Sequence, residues 1–454
     1  MNYQAIVDAQ NVFFNSNSTK DIHFRKTVLK RLRTVLKENE TFLYEAIFKD
    51  FQKSEFETYV TELALIYSEI ELTLKKLNKW SAKKSISTSL ANFPAKSYIM
   101  PEPLGVSLVI GAWNYPYQLS LAPVVPAIAA GCTVILKPSE IAKHTSAAMA
   151  KLINENFDPS FFKVIEGGVE ETTELLKIKF DKIFFTGSVA VGKIIYKAAA
   201  EHLTPVTLEL GGKSPAIVTD TIQVKTTAKR LVWAKFLNAG QTCIAPDYVL
   251  VKDTVKEAFL HAVIEEIKSA DYAVRHDNYT QIINTKNFTR LIDLIEKDKV
   301  FYGGKIDENE RVIYPTILTD IDFDHPVMQE EIFGPILPVI TYQNIKEAIK
   351  AIKNLPKPLS CYAFTKNKKE REAILNEISF GGGAINDALM HITEHDLPFG
   401  GVGNSGIGNY HGKSGFDAFS HQKSVLQKPF WLEPSLKYAP YSKGKLKILK
   451  WLLG

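Results

Sequence analysis

One cysteine of this chain lies in a segment whose composition suits a nucleophile. Cys243 ends the polar run 238–243, which contains Asn, Gly, Gln and Thr and follows a stretch with helical spacing. A carboxylate, Glu209, precedes it by 34 positions. A thiolate that attacks a carbonyl carbon, with a carboxylate that prepares water for the second step, is a recurrent pair in covalent catalysis. The sequence therefore predicts Cys243 as nucleophile and Glu209 as base.

The other two cysteines predict no such chemistry. Cys132, in Ala-Gly-Cys-Thr-Val, and Cys361, in Leu-Ser-Cys-Tyr-Ala, have the neighbours of small apolar residues packed in or beside strands. Three widely spaced cysteines do not make a disulfide framework, so we expect a reducing compartment, the cytoplasm. No Cys/His pair has the spacing of a zinc site, and we predict no metal.

Composition narrows the class of protein. The chain has 454 residues, which favours two or three domains, and its 45% hydrophobic and 23% charged residues are typical of a soluble globular protein. The net charge of +5 comes without a basic block in the body of the chain, so nucleic acid is not an expected partner. We expect no signal peptide in residues 1–14 and no spanning helix, because no run approaches about 20 apolar residues.

The last twelve residues have two interpretations. Residues 443–454 interleave four lysines with six large apolar residues. Such a segment suits a helix that lies on an anionic membrane surface. The more ordinary interpretation is a terminal helix docked on the protein or on a partner subunit, with its lysines outward. Peripheral membrane contact and docking both remain open at this point.

The candidate residues must be positioned by alternating strands and helices. Residues 20–80 have helical patterns, whereas 81–98 are rich in serine and suit a connector or an exposed hairpin. Beyond residue 105, buried β-rich runs alternate with helices, as in parallel sheets covered on both faces. The predicted strands are 106–110, 133–136, 162–165, 182–185, 206–210, 216–218, 249–251, 336–340 and 359–363. One predicted helix follows the first strand and ends at 130. The other predicted helices span 142–154, 170–178, 189–202, 225–236, 256–269, 345–352 and 369–378.

Several polar residues follow predicted strands, where ligands of parallel sheets bind. Thr186, Gly187 and Ser188 open a helix, where Gly187 allows close approach and Ser188 with the helix N-terminus offers donors to a phosphate. The spacing Gly187-x4-Gly192 departs from the usual Gly-x-Gly-x-x-Gly pattern, so a plain strand-to-helix turn is the alternative. Lys137 and Glu140 end another strand and could bind ribose hydroxyls, or they are two solvated loop charges.

Three further segments offer binding or catalytic groups. Asn114 ends a strand and could donate to a developing oxyanion, or it caps the next helix through an Asx-turn. Glu331 and Phe333 share one face if their segment is extended, and could then bind a ribose and a ring. The alternative is that the segment is a surface turn. Residues 397–412 contain six glycines and suit a flexible wall of an active site. His411 within it could line a substrate channel, although a surface histidine is the simpler interpretation.

Taken together and in order, these segments resemble the aldehyde dehydrogenase superfamily along nearly the whole chain. Residues 203–209, 243–248 and 410–413, with the short N-terminus, are similar to its class 3, or fatty aldehyde dehydrogenase-like, branch. The motifs that carry the resemblance are Trp113-Asn114-Tyr115-Pro116, Lys137-Pro138-Ser139-Glu140, Phe185-Thr186-Gly187-Ser188, Glu209-Leu210-Gly211-Gly212-Lys213, Gly240-Gln241-Thr242-Cys243, Glu331-Ile332-Phe333-Gly334-Pro335 and Leu397-Pro398-Phe399-Gly400-Gly401.

The resemblance implies a mechanism and a set of site residues. Cys243 would attack the aldehyde, with the Asn114 amide and the Cys243 backbone N–H holding the oxyanion. Hydride loss to NAD, or to NADP, would leave a thioester that Glu209 hydrolyses through water. A carboxylate at Glu140 would repel a 2′-phosphate and favour NAD. The implied cofactor residues are Trp113, Lys137, Glu140, Thr186, Gly187, Ser188, Gly192, Leu210, Glu331 and Phe333. The implied substrate residues are Tyr115, Trp233, Thr242 and His411.

The resemblance also implies an architecture, namely two parallel-sheet α/β domains, one Rossmann-like, plus a small β flap. The substrate would be an apolar aldehyde, medium- to long-chain or aromatic, and the protein a homodimer joined through the flap. An acylating enzyme that uses coenzyme A, and a non-catalytic protein that retains the fold, are the alternatives; Glu209 argues against the first, and the intact catalytic set against the second. The expected domains are 1–79 with 99–208 (dinucleotide-binding), 209–413 (catalytic), 80–98 with 414–430 (bridging flap) and 431–454 (tail).

Overall fold

The computed structural model describes residues 2–453. Within them, helices and strands alternate through most of the chain. The α-helices are α1 (Tyr3–Asn15), α2 (Ile22–Glu38), α3 (Glu40–Phe51), α4 (Glu55–Thr58), α5 (Ala64–Trp80), α6 (Pro116–Ala130), α7 (Lys143–Asn156), α8 (Val169–Leu176), α9 (Val189–Glu201), α10 (Val224–Phe236), α11 (Lys256–Ala270), α12 (Thr285–Ile292), α13 (Ile345–Lys353), α14 (Lys368–Glu377), α15 (Gly412–Ala418) and α16 (Lys443–Leu453).

The strands are β1 (Lys84–Ile86), β2 (Lys96–Pro103), β3 (Val106–Ile110), β4 (Thr133–Lys137), β5 (Phe162–Val164), β6 (Lys182–Thr186), β7 (Val206–Glu209), β8 (Pro215–Val218), β9 (Tyr248–Lys252), β10 (Val300–Tyr302), β11 (Ile306–Asp307), β12 (Val312–Ile313), β13 (Thr316–Leu318), β14 (Ile336–Tyr342), β15 (Ser360–Phe364), β16 (Gly382–Ile385), β17 (Gly406–Ile407) and β18 (Ser420–Gln427). A π-helical turn, Tyr59–Leu63, joins α4 to α5.

The first sheet has six strands in the order β17-β7-β6-β3-β4-β5. Strands β3 to β7 run parallel, and the two-residue edge strand β17 pairs antiparallel with β7. Every residue of β3, β4 and β6 is buried. Burial on both faces explains why these strands are continuous apolar runs rather than alternating ones, and why the sequence placed them correctly.

The second sheet has seven strands in the order β10-β13-β14-β9-β8-β15-β16, all parallel except β10. Four of its strands, β8, β9, β14 and β15, lie where the sequence placed them. The other three, β10, β13 and β16, were not predicted. β16 begins Gly382-Gly383, which carries no β signal, and each of the three has only three or four residues. The predicted fold class, two parallel α/β sheets with a small additional sheet, is confirmed.

The third sheet is antiparallel and consists of β1, β2 and β18. Strand β18 pairs with β2 over all eight residues, from Ser420 opposite Pro103 to Gln427 opposite Lys96. β2 continues five residues beyond 98, the end of the expected flap segment. Side chains along β18 are largely exposed, so one edge and much of the faces of this sheet are open to solvent.

A fully buried ion pair joins the N-terminal helices to the start of α6. Lys53 Nζ lies 2.7 Å from Glu62 Oε1, and both side chains are inaccessible to solvent. The second oxygen of Glu62 accepts from Tyr117 N at 2.7 Å and Gln118 N at 3.3 Å, which satisfies donors at the N-terminus of α6. Lys53 Nζ also lies 4.1 Å from the ring centroid of Tyr115. The pair therefore fixes the chain just after Asn114.

Breaking this pair on one side should destabilise the fold strongly. Lys53→Met leaves the Glu62 carboxylate buried without its counter-charge, and we expect a loss of about 3–5 kcal/mol in unfolding free energy, measured by urea denaturation. The matched control is Arg33→Met, which breaks the exposed Arg33–Glu71 pair (2.6 Å) and should cost no more than about 1 kcal/mol. Equal losses in the two variants would contradict the account.

The C-terminal helix α16 leaves its apolar side chains uncovered. Trp451 is 82% exposed, and Leu446, Ile448 and Leu452 are each about half exposed. Lys445 Nζ donates to the carbonyls of Tyr438 and Pro440, so the helix is attached to the segment directly before it. The helix is therefore not docked on the body of this chain, whereas docking on a partner subunit and contact with a membrane both stay predictions. Within residues 2–453, no helix is both long and apolar enough to cross a membrane.

Candidate active site

A cleft of about 520 Å³ opens at the carboxyl ends of the strands of the first sheet, facing the second sheet. Its wall contains residues from β3, β4, β6 and β7 and from the loops before β9 and β14. This is the place where parallel α/β sheets bind ligands. The predicted site residues that line it are Trp113, Asn114, Lys137, Glu140, Thr186, Gly187, Ser188, Glu209, Leu210, Cys243, Glu331 and Phe333.

The cysteine loop begins with two consecutive left-handed residues. Asn238 (φ 54°) and Ala239 (φ 50°) follow the end of α10, and an asparagine tolerates this conformation better than most residues. Asn238 Nδ2 donates to the carbonyls of Asn114 (2.9 Å) and Gln241 (3.1 Å). Gln241 Nε2 in turn donates to Asn238 O at 3.1 Å. This buried polar network holds the turn that presents Cys243 to the cleft.

The side chain of Asn114 joins the end of β3 to the same loop. Its Nδ2 donates to Gln241 O at 3.0 Å, and the residue is buried. It does not cap α6, whose N-cap is Tyr115 and has no side-chain capping bond. The Asx-turn interpretation is therefore wrong. The amide lies against the loop of Cys243, where a donor is needed if an oxyanion forms on a carbonyl attacked by that sulfur.

The Cys243 thiol lies in an environment that disfavours its charge. Burial raises its pKa to about 12, and the nearby carboxyl groups of Glu331 and Glu209 contribute in the same direction. The described groups around the sulfur therefore favour the neutral thiol. A positive charge placed beside the sulfur, or neutralisation of the two acids, would favour the thiolate.

Glu209 ends β7 and is buried, with no hydrogen-bond partner for either carboxyl oxygen within the described residues. Burial raises its pKa well above the usual range. An unpaired carboxyl group facing a cleft is the arrangement expected of a general base. Gly406 of β17 pairs with Glu209, so this part of the glycine-rich segment is an edge strand rather than a flexible loop.

Glu331 and Phe333 enter the cleft from a segment that is not extended. Phe333 has φ +50°, and its ring packs edge-on against Trp113 with centroids 5.4 Å apart. The Glu331 carboxyl fills the space beside Gly211, where a Cβ would lie 1.8 Å from Oε2. Burial, with a smaller contribution from Asp247, raises the pKa of Glu331 to about 8. The surface-turn interpretation is therefore wrong.

Lys137 and Glu140 form a pair at the edge of the cleft. Lys137 is almost fully buried, and its Nζ lies 3.2 Å from Glu140 Oε2, whereas Glu140 is exposed. Lys137 is therefore not a solvated loop charge. Ser188 caps α9 by accepting from Val191 N at 3.4 Å. Gly192 does not line the cleft; a Cβ there would lie 2.7 Å from Leu210, so the glycine serves helix–strand packing.

The expected substrate residues do not join this cleft. The Tyr115 hydroxyl lies 2.6 Å from Thr242 Oγ1, and both residues are buried beside the Cys243 loop. Trp233 is on α10 and is 40% exposed. His411 is buried, and burial lowers its pKa to about 4, so the surface interpretation is wrong.

Two aromatic residues line the cleft that sequence reasoning did not assign. Phe399 and Tyr410 pair across an isolated antiparallel bridge and reach the wall that contains Cys243. The His411 ring stacks on Phe399 with centroids 5.2 Å apart. A signal was available, because both residues lie in segments that carry the resemblance, Phe399 in 397–401 and Tyr410 in 410–413.

Comparisons with known proteins agree with this site. A model of the aldehyde dehydrogenase family matches residues 2–425. The 4,4′-diaponeurosporen-aldehyde dehydrogenase of Staphylococcus aureus is 47% identical over 442 residues, covering 96% of each chain. The dimeric, NADP-preferring aldehyde dehydrogenase of Mus musculus is 45% identical over 427 residues, covering 94% of each. A solved structure of the substrate-bound state of Staphylococcus aureus AldH superposes with a TM-score of 0.98 at 46% identity, covering 100% of both chains.

These matches, with two parallel α/β sheets around a cleft that contains a thiol and a buried carboxyl group, place the chain in a class of oxidoreductases. The chain belongs to the aldehyde dehydrogenase family, which oxidises aldehydes. The cofactor of the family is NAD or NADP. The predicted family and enzyme class are confirmed.

Removing the Asn114 amide tests its role as an oxyanion donor. We expect Asn114→Ala to lower kcat about 10²–10³-fold in a steady-state assay of NADH formation, because one donor to the developing charge is lost. The NAD dissociation constant should change little. Asn156→Ala, at the half-buried C-terminal end of α7 and outside the cleft, is the matched control and should leave kcat unchanged. A kcat within about threefold of wild type for Asn114→Ala would remove this residue from the mechanism.

Proposed function

We propose that this enzyme oxidises apolar aldehydes, medium- or long-chain or aromatic, to carboxylic acids through a thiohemiacetal and a thioester on Cys243. The observation that carries the proposal is that Cys243, Glu209 and the Asn114 amide line one cleft, although they come from three distant segments. Aromatic side chains from three segments line the same cleft and support an apolar substrate: Trp113, Phe333, Phe399 and Tyr410.

The residues of the cleft fit a dinucleotide. The buried Lys137 and the exposed Glu140 offer a donor and an acceptor to ribose hydroxyls, and Ser188 begins a helix whose N-terminus favours phosphate. Glu331 and Phe333 would hold the nicotinamide ribose and ring. A carboxylate at Glu140 disfavours a 2′-phosphate, which supports NAD over NADP. When bound, the nicotinamide supplies the acceptor for a hydride.

The side chains of the chain account for the remaining steps. The Cys243 thiol gives its proton to water, the sulfur bonds to the aldehyde carbon as the C=O π bond opens, and the Asn114 amide and the Cys243 backbone N–H stabilise the oxygen that becomes negative. Loss of a hydride from this carbon leaves an acyl thioester. Glu209 removes a proton from water, the water oxygen attacks the thioester, and the carboxylic acid and the free thiol are released.

An aldehyde panel tests the substrate class. We expect kcat/KM for NADH formation to rise from propanal through hexanal to decanal, each added buried methylene contributing about 0.8 kcal/mol, and benzaldehyde to exceed glyceraldehyde. NADP run in parallel should support a lower kcat/KM than NAD. A preference for short polar aldehydes would refute the proposed substrate class. Absence of turnover with every aldehyde, while Cys243 is shown to be reduced, would refute the function.

We also propose a dimer, because the three-stranded sheet presents an exposed, eight-residue edge strand, β18, that a second copy of the chain can cover. The proposed division into a dinucleotide-binding domain, a catalytic domain, a flap and a tail keeps the ranges given above. Sedimentation equilibrium at micromolar concentration should give twice the mass of 50.9 kDa. A single-chain mass would refute the dimer.

We propose that the enzyme is cytoplasmic. We also propose that α16 makes peripheral contact with anionic membranes. Its exposed Leu446, Ile448, Trp451 and Leu452 lie beside four lysines with no acidic residue in the helix. Such a helix binds by burying its apolar face and by attraction to anionic lipid. The full chain should co-sediment with vesicles containing phosphatidylglycerol more than residues 1–442 do, and added salt should reduce the difference. Equal co-sedimentation would refute the proposal.

A further inference from the structure

The segment that contains Glu331 and Phe333 is held by charged side chains rather than by a sheet or a long helix. Only a 3₁₀ turn, Pro326–Met328, interrupts the irregular backbone before β14. Lys213 Nζ donates to the carbonyls of Val327 at 3.1 Å and Glu330 at 2.8 Å. Lys213 therefore contacts two of the backbone groups that fix the path of the segment, and its ion-pair partner contacts a third.

That partner is Asp247. One of its carboxylate oxygens binds Lys213 Nζ, and the other accepts from Ile332 N at 2.9 Å. The side chains of Lys213 and Asp247 are 9% and 4% exposed. Lys213 lies four residues after Glu209, and Asp247 lies four residues after Cys243. The chain segments of the base and of the nucleophile thus meet through one ion pair, which holds a third segment.

We propose that Lys213 and Asp247 are positioning residues that hold segment 327–333 so that Glu331 and Phe333 are presented to the nicotinamide end of the cleft. This rests on the proposed function, which gives those two residues their ligand. The pair acts through the backbone of the segment and lines no part of the cleft itself. Its expected effect is therefore on dinucleotide binding and hydride transfer, not on the reactivity of the thiol.

Two features of the segment explain why its backbone needs to be held by the hydrogen bonds of Lys213 and Asp247. Phe333 adopts φ +50°, which costs of order 1–3 kcal/mol and persists only where surrounding contacts enforce it. Arg290 adds to the enforcement by donating to Ile332 O at 2.6 Å. The Glu331 carboxyl is seated against Gly211 with no room for a Cβ, so a small shift of the segment would displace it.

A buried ion pair is a poor choice if stability alone is required, because apolar residues of equal volume often serve as well or better. What Lys213 and Asp247 supply, and apolar residues cannot, are directed hydrogen bonds to three backbone groups of one segment. Breaking these hydrogen bonds is therefore expected to weaken dinucleotide binding and hydride transfer specifically, and not the reactivity of the thiol. A misplacement of about 1 Å at a group that orients a reactant can cost about 10²-fold in rate.

The experiment compares two reactions of the same cleft. Hydrolysis of p-nitrophenyl acetate needs the thiol, the oxyanion donors, Glu209 and water, but no dinucleotide: sulfur attacks the ester carbon, p-nitrophenolate leaves, and water deprotonated by Glu209 releases acetate from the thioester. Oxidation of decanal needs the dinucleotide as well. Lys213→Met and Asp247→Asn are measured in both assays, and their NAD dissociation constants are measured by titration calorimetry. The control is Lys252→Met, which breaks the partly exposed Lys252–Asp220 pair (2.7 Å).

We expect both variants to lose about 10²-fold in kcat/KM for NAD, with weaker NAD binding and a larger isotope effect on 1-deuterated decanal, while ester hydrolysis stays within about threefold of wild type. Lys252→Met should be unchanged in every assay. A parallel loss of ester hydrolysis, or unchanged oxidation, would overturn the inference. If Lys213→Met does not fold, the nearly isosteric Asp247→Asn gives the same comparison. A wild-type protein that binds NAD but oxidises no aldehyde would instead overturn the proposed function.

Discussion

Cys243→Ala should lower kcat for aldehyde oxidation by about 10⁴-fold or more, because the step that forms the covalent intermediate loses its only nucleophile. Within residues 2–453, no other cysteine lines the cleft; Cys132 and Cys361 are buried elsewhere. NAD binding should be nearly unchanged, since alanine removes one atom from a wall lined by many residues. Absorbance of NADH with decanal as substrate, and titration calorimetry with NAD, measure the two quantities.

The matched control is Cys361→Ala, which removes a thiol from the buried strand β15. Its kcat should remain within about twofold of wild type, although a small cavity should lower its stability by roughly 1 kcal/mol. Substantial turnover by Cys243→Ala, or loss of turnover by Cys361→Ala in folded protein, would show that the nucleophile has been assigned to the wrong residue.

Glu209→Gln should separate the two halves of the reaction. Acylation needs the thiol, the oxyanion donors and NAD as hydride acceptor, but not the base, so the variant should release about one equivalent of NADH per active site in a rapid burst. Hydrolysis of the thioester then lacks its base, and steady-state turnover should fall by about 10²–10⁴-fold. Stopped-flow absorbance resolves the burst from the steady state. The control Glu201→Gln, at the exposed end of α9, should behave as wild type.

The same base gives wild-type turnover a pH dependence. Burial raises the pKa of Glu209 well above the usual range, so this carboxyl group loses its proton, and can accept one from water, only at a higher pH than an exposed glutamate does. Steady-state kcat should therefore rise with pH over a range above the usual pKa of a glutamate, and Glu209→Gln should lack that rise. Full turnover by Glu209→Gln without a burst would exclude a role for this carboxyl group in hydrolysis.

The parallel sheets could be predicted from sequence because their strands are buried on both faces. Apolar runs such as 108–110 and 183–185 leave little ambiguity, and the ends of their strands place the polar residues of the cleft. β16 could not be predicted because Gly382 and Gly383 begin it, so it is a strand only through pairing with β15. Tertiary pairing overrides local preference in such short elements.

The sequence motifs predicted which side chains form the site, but they did not predict the burial and electrostatic environment of those side chains. Polar neighbours in sequence suggested an activated thiol at Cys243, whereas the groups that surround it in space are apolar atoms and two acids, and these raise its pKa. His411 lies in a glycine-rich segment that looks exposed in sequence, yet pairing of Phe399 with Tyr410 buries it. Burial depends on residues distant in the chain, which single-sequence patterns do not encode.

The contact between Lys213 and Asp247 could be predicted from the sequence only in part. Each residue belongs to a motif that was recognised for a neighbouring catalytic group, and neither was assigned a role of its own. Nothing in their spacing indicates that they meet, because the contact depends on how β8 and β9 pair in the second sheet. The structure brings them together and shows which segment they hold.

The most direct test of the account is to find the atom that bears the acyl group. Glu209→Gln is mixed with NAD and decanal, quenched in acid within seconds, digested, and analysed by peptide mass spectrometry. The account predicts a decanoyl mass on the peptide that contains Cys243, and none on the peptides of Cys132 or Cys361. A burst of NADH with no acylated cysteine, or with the acyl group on another residue, would contradict it.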